Sequence, residues 1–181
     1  MPHLKENRNS RETVFQGKIL NVYKDTVILP NGKEATREVV EHSGAVAVLA
    51  IDDQDRIILV KQYRYPIQKS SLEIPAGKLE DGENPLECAK RELEEETGFQ
   101  AENWSKIISF YTSPGFANEI MHLFLATGLT FVGASPDEDE FVELYKYSLD
   151  EAFDGILQQE IDDAKTINAI LWHKIKVGTN S

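Results

Sequence analysis

The chain has 181 residues, and 31 acidic side chains against 19 Lys plus Arg leave it a net charge of −12. With 41 % hydrophobic and 28 % charged residues, it has the balance of a globular protein with a real core, which excludes disorder as its main state. The negative charge opposes a protein that holds nucleic acid by neutralising phosphates, but it leaves room for a small anionic substrate reached through a metal cation.

Residues 1–12 are polar, without an apolar stretch behind them, and read as a frayed end rather than a secretory signal. Residues 13–42 alternate apolar and polar positions in short runs around Pro30-Asn31-Gly32, the pattern of an antiparallel hairpin or meander. A unit this small must lean on the main domain or on another subunit. The expected organisation is therefore a β-segment over 1–42 and a main domain over 43–181. In the main domain, Ala45–Ile51 reads as a buried strand, Asp52-Asp53-Gln54-Asp55 as a turn, and Arg56–Tyr63 as a second strand completing a hairpin. Ala45–Ile51 is also the longest apolar run, far short of the ~20 residues that cross a bilayer, so no membrane partner is expected.

Residues 66–83 carry Pro66, Pro75, Gly77 and Gly82 and are expected to be mostly loop. A helix is expected over 85–97, then strands over 104–112, 119–126 and 140–147, then helices over 149–157 and 162–175. Strands on both sides of one central helix point to an α/β class with a mixed sheet between helical layers. Cys88 is the single cysteine, so no internal disulfide forms, and a reducing, cytoplasmic compartment is expected. Phe15, Tyr23 and Tyr63 read as core aromatics at strand spacing.

The helix over 85–97 is the best-specified element. Asn84 suits the N-cap, Pro85 the first helical position, Glu87 the capping box and Gly98 the C-terminal stop. At about 100° per residue, Leu86, Ala89 and Leu93 form the core stripe, and Glu92 and Glu96 border it. Arg91 lies one turn before Glu95, and Lys90 one turn before Glu94, so both pairs are expected. Carboxylates on one arc repel, and a divalent cation would reverse that cost. An all-carboxylate set suits a hard cation such as Mg²⁺ or Mn²⁺. The loop Pro75-Ala76-Gly77 before the helix is placed to bring a backbone carbonyl toward such an ion.

From Gly77 to Phe99 the chain reads GKLEDGENPLECAKRELEEETGF. This resembles in full the box of the Nudix hydrolases: Gly, five residues, Glu, seven residues, Arg-Glu, an aliphatic residue, one residue, Glu-Glu, one residue, Gly and an apolar residue. The resemblance implies a Nudix α/β/α sandwich with Glu92 and Glu96 as metal ligands, Glu95 assisting and the Ala76 carbonyl as a further ligand. It implies that Arg91 holds the glutamates and that Glu83 braces the loop. Pro114 in Ser113-Pro114-Gly115, with Asn118-Glu119, Gln62-Tyr63-Arg64 and Leu72-Glu73-Ile74-Pro75-Ala76-Gly77, is similar to the ADP-ribose pyrophosphatase branch. That likeness implies Mg²⁺-dependent hydrolysis of ADP-ribose to AMP and ribose 5-phosphate, with no nucleic-acid partner. It also implies a homodimer formed through the N-terminal β-segment.

Within this reading Arg37, Arg64, Glu73, Ser113, Gly115 and Glu119 are the candidate substrate contacts. Arg suits phosphate because its planar fork offers paired donors. A further glutamate is needed to take a proton from water or to join the metal set. In the acidic stretch 136–143, Glu140 is the first candidate and Glu138 the second. Two other readings stay open. One is a Nudix hydrolase for another nucleoside diphosphate sugar or a dinucleotide; the other is a module that senses ADP-ribose without cleaving it.

Overall fold

The structure, a computed structural model, describes residues 2–133 and 141–179. Two compact units make up the chain: Met1–Gly44 with Phe110–Ile120, and Ala45–Ser109 with Met121–Ser181. Among the described residues no helix is long and apolar enough to cross a membrane.

The first unit is an antiparallel sheet of β1 (Asn7–Gln16), β2 (Leu20–Ile28) and β3 (Glu34–His42), in that order. The expected meander is present but starts earlier: Asn7 to Gln16 pair with Ile28 to Asn21, so what reads as a frayed end is a strand from Asn7 onward. Polar sequence hid it, because β1 is exposed along its whole length and needs no apolar face. Between β2 and β3 the turn closes through Gly32 N–H to Leu29 O at 2.9 Å, with Gly32 at φ 82°. Asp25, nearly buried, accepts a fork from Arg11 at 2.7 and 2.8 Å, and the Arg11 guanidinium lies 4.1 Å from the Tyr23 ring centre. The segment 110–120 joins β3: Val40 N–H donates to Phe116 O at 2.7 Å, and Asn118 N–H to Val40 O at 3.2 Å.

The second unit is built on two sheets. β4 (Ala45–Ala50) pairs with β7 (Ala76–Lys78) antiparallel and with β9 (Ile120–Phe131) parallel. With β8 (Phe99–Tyr111) they form a mixed sheet in the order β7-β4-β9-β8. β5 (Arg56–Arg64) is flanked antiparallel by β6 (Lys69–Glu73) and β10 (Glu143–Ser148). The class is α/β with a mixed sheet, as expected. The hairpin of β4 and β5 is corrected, however. Its turn forms, with Asp52 N–H to Arg56 O at 2.9 Å and an Ile51–Ile57 bridge, but beyond it the strands part into different sheets. Residues 66–83 are likewise less of a loop than expected, since they hold β6 and β7.

β4 is buried at every position, the mark of a central strand covered on both faces. Val46, Val48 and Ala50 meet Phe124 and Ala126 of β9 and Cys88, Ala89 and Leu93 of α1 (Pro85–Thr97) in one cluster. α3 (Ala164–Gly178) also packs against β4, and α2 (Leu149–Leu157) packs against α3, β5 and β10. Phe15 and Tyr63 do not join a core; both are more than half exposed.

Candidate active site

α1 forms where the sequence places it. Asn84 Oδ1 accepts from Leu86 N–H at 2.9 Å, and Gly98 closes the helix at φ 72°, a backbone state that suits glycine. The Leu86/Ala89/Leu93 stripe turns inward, which carries Glu92 and Glu96 to 8 % and 4 % exposure. Two local expectations fail. Lys90 reaches back to Glu87 at 2.9 Å rather than forward to Glu94, and Glu87 is therefore drawn away from the capping box.

Arg91 is the hub of the site. Its Nη1 donates to Glu92 Oε1 at 2.7 Å and to Glu95 Oε2 at 2.9 Å. Its Nε and Nη2 reach Glu83 at 3.2 and 3.3 Å. Glu83 Oε2 also accepts from Glu80 N–H at 3.0 Å, which ties the loop to the helix. The Arg91 hydrogen bonds hold the Glu83 carboxyl below its ordinary value. Glu96 Oε2 accepts from Ala76 N–H at 3.0 Å, so the 75–77 segment is fastened to the last turn of α1. A Cβ at Gly77 would stand 1.8 Å from Glu92 Cδ; the missing side chain is the space the carboxylate uses. Beside them Cys88 is buried, its thiol pushed up to about 12 first by burial and then by Glu83.

Among the described residues no three His, Cys, Asp or Glu side chains converge as a metal-binding group. Arg91 and the Ala76 N–H hold the glutamates instead. The donor set nonetheless suits a hard cation: it is all oxygen, it is partly withdrawn from water, and the glycine cradle keeps Glu92 against the loop that carries the Ala76 carbonyl.

Next to Ala76 lies a second charged junction. Arg64 Nε and Nη2 fork onto Glu73 at 2.8 and 2.6 Å, and Lys165 Nζ bonds the same Glu73 Oε2. Burial alone would raise the Glu73 carboxyl, but Arg64 and Lys165 bring it down to about 2. Lys165 also bonds Asp163 Oδ1 at 3.1 Å, and Asp163 caps α3 through Thr166 N–H at 3.0 Å. The Thr166 hydroxyl accepts from Ile74 N–H at 2.9 Å. Sequence reasoning missed Asp163, Lys165 and Thr166: they lie about ninety residues from Glu73 and Ile74 and carry no motif.

Ala76, Arg91, Glu92, Glu95 and Glu96 are thus brought together in the second unit, with Arg64 and Glu73 bonded to each other beside Ala76. Arg37, Ser113, Gly115 and Glu119 lie in the first unit. Arg37 is paired with Glu6 at 2.9 and 2.5 Å. Ser113 O accepts from Phe116 and Ala117 N–H at 3.1 and 2.9 Å. Gly115 faces open space, and Glu119 accepts from Thr112 Oγ1 at 2.6 Å and lies 3.7 Å from His42 Nδ1. Glu138 and Glu140 lie outside the described residues.

Residues 41–170 match the model of the NUDIX domain, and residues 6–40 that of the Nucleoside diphosphate sugar hydrolase N-terminal domain. The chain is 49 % identical over 178 residues to an ADP-ribose pyrophosphatase of Bacillus subtilis (strain 168), covering 97 % of this chain and 96 % of that one. It is 50 % identical over 167 residues to the methanol dehydrogenase activator of Bacillus methanolicus, covering 91 % and 90 %. A solved structure described as an ADP compounds hydrolase superposes with a TM-score of 0.86 over 98 % of this chain and 96 % of that one, at 23 % identity, and so shares the fold. The box that Arg91 draws together lies inside a domain match that spans most of the chain, and the protein belongs to the Nudix hydrolase family.

Proposed function

We propose that the protein hydrolyses the pyrophosphate bond of ADP-ribose. Water adds to one phosphorus, the bridging P–O bond breaks, and the products are AMP and ribose 5-phosphate. The observation that carries this reading is the likeness, over nearly the full length of both chains, to a relative named for that reaction. In this reading Glu92, Glu95, Glu96, the Ala76 carbonyl and Glu140 hold divalent cations, Mg²⁺ with Mn²⁺ as a substitute. Such cations neutralise the pyrophosphate and lower the pKa of bound water. Arg91 keeps the glutamates in place, and Glu140, where it does not hold a cation, or else Glu138 takes the proton from the attacking water. Arg64 meets a substrate phosphate; Glu73, a substrate contact in the sequence reading, is 2 % exposed and bonded to Arg64 and Lys165, and so acts through Arg64. Arg37, Ser113, Gly115 and Glu119 supply further substrate contacts.

The domains in this reading are 1–42 and 43–181. The first forms a homodimer: β1 is exposed at every position, Val14 and Phe15 included, a surface suited to cover by a second copy. The single cysteine is free, which accords with work in the cytoplasm.

The test is product analysis after incubation with ADP-ribose and Mg²⁺ in H₂¹⁸O, beside a panel of nucleoside diphosphate sugars and dinucleotides. AMP and ribose 5-phosphate, with label in one of them, support the reading and mark the phosphorus attacked. Cleavage of another panel member alone removes the substrate assignment. Tight binding without any product points to a sensing module. Glu96→Gln is expected to lower turnover strongly while the fold persists.

A further inference from the structure

We propose that Lys165 is a positioning residue for the substrate: by sharing the Glu73 carboxylate, it leaves Arg64 free to turn toward an anionic phosphate. The proposal rests on the reading above that Arg64 meets a phosphate. Glu73 is 2 % exposed, and a carboxylate that deep needs a permanent counter-charge. Arg64 alone would satisfy it with a two-bonded fork. The structure supplies a second cation as well. The Lys165 side chain is 10 % exposed and the Arg64 side chain 38 %, so Lys165 is the fixed partner and Arg64 the one that reaches water.

Lys165 is fixed from its own side too. Its ammonium also bonds Asp163 Oδ1, and Asp163 holds the first turn of α3 through Thr166. Thr166 in turn holds Ile74 N–H, the next residue after Glu73. The carboxylate and the cation beneath it therefore belong to one clamped junction. If Lys165 were absent, moving Arg64 to a phosphate would strip a buried carboxylate of its only counter-charge, and binding would carry that penalty. With Lys165 present, Arg64 exchanges one anion for another. Arg64 also feels the negative charge of Asp163 and of Glu96, the latter on the last turn of α1.

The test is steady-state kinetics with ADP-ribose and Mg²⁺ for the wild type, Lys165→Met, Lys165→Arg and Arg64→Gln, alone and combined. Lys165→Met is expected to raise KM roughly tenfold or more while kcat stays within about threefold, because the lost group acts on binding. Lys165→Arg restores KM, since it returns the charge. Arg64→Gln is expected to add little to KM in the Lys165→Met background, since Arg64 is already detained there. Should Lys165→Met not fold, Lys165→Gln gives the same readout: its amide still bonds Glu73 without the charge. An unchanged KM overturns the proposal, as do a fall confined to kcat and effects of the two substitutions that simply multiply. If the wild type fails to cleave ADP-ribose, the substrate reading falls by itself. The proposal is then decided by calorimetric titration with inorganic pyrophosphate: weaker binding by Lys165→Met supports it, and equal affinity or no binding by the wild type overturns it.

Discussion

The Glu92 carboxylate occupies the place where a side chain at Gly77 would begin, with Glu92 Cδ 1.8 Å from that position. Gly77→Ala therefore has one outlet, displacement of the Glu92 side chain, since the added methyl and the carboxylate cannot share the space. The fold is expected to persist, because the atoms that must move are the far end of a long side chain. Turnover is expected to fall roughly 10–100-fold, the scale seen when a group around a metal site is lost. The stabilisation of the wild type by Mg²⁺ in thermal melts is expected to shrink in the variant. Melts with and without Mg²⁺, beside turnover, check both.

Arg91 serves Glu83, Glu92 and Glu95 at once. Arg91→Met takes from three neighbouring carboxylates the guanidinium they share. The expected loss is about 1–3 kcal/mol of stability, measured by urea unfolding. Millimolar Mg²⁺ is expected to stabilise the wild type more than the variant, since a cation that binds only the folded state stabilises it by mass action and the variant no longer holds its glutamates in place.

Acid stability follows from Glu73. Its carboxyl sits at about 2 in the folded protein against an ordinary 4.5. The folded value is the lower one, so the folded state resists protonation. The stability it contributes is whole above pH 4.5 and is lost as the pH falls toward 2. Glu73→Gln is expected to lower the urea midpoint at pH 7 and to make its fall between pH 4.5 and 2 shallower. Part of the slope remains, because Asp52, held by Arg56 and Lys146 against its burial, also titrates near 2. Urea midpoints across that pH range check the prediction.

Cys88 is fully buried, with its thiol pushed up to about 12. The thiolate is the reactive form, so the native protein is expected to resist iodoacetamide at pH 8 and to react once unfolded in urea. Mass spectrometry before and after denaturation reads the result.

What the sequence disclosed follows the range of the interactions concerned. α1 was legible to the residue, because its cap, its stripe and its stop are local, and the same stripe placed Glu92 and Glu96 at the edge of the core. β7 was not legible: it is three residues long and exists through pairing with β4. β6 begins Lys69-Ser70-Ser71 and gives no apolar signal. The turn after β4 was correctly placed at Asp52, yet nothing local tells a hairpin from two strands that part into separate sheets. In the site, the helix carboxylates and Arg91 were visible in one contiguous box. Lys165 was not, because only the folded chain brings it to Glu73.

The excursion of residues 110–120 has a consequence for anyone wishing to dissect the protein. A cut near residue 44 does not release two self-sufficient modules. It strips Val40 and His42 of the backbone and side-chain partners they find at Phe116 and Asn118, and it strands that ribbon on the larger fragment. The two pieces are laced by a strip of chain that one lends to the other. Fragments 1–44 and 45–181 should therefore behave as halves of a split protein, each poorly behaved when made alone and recovering when made together.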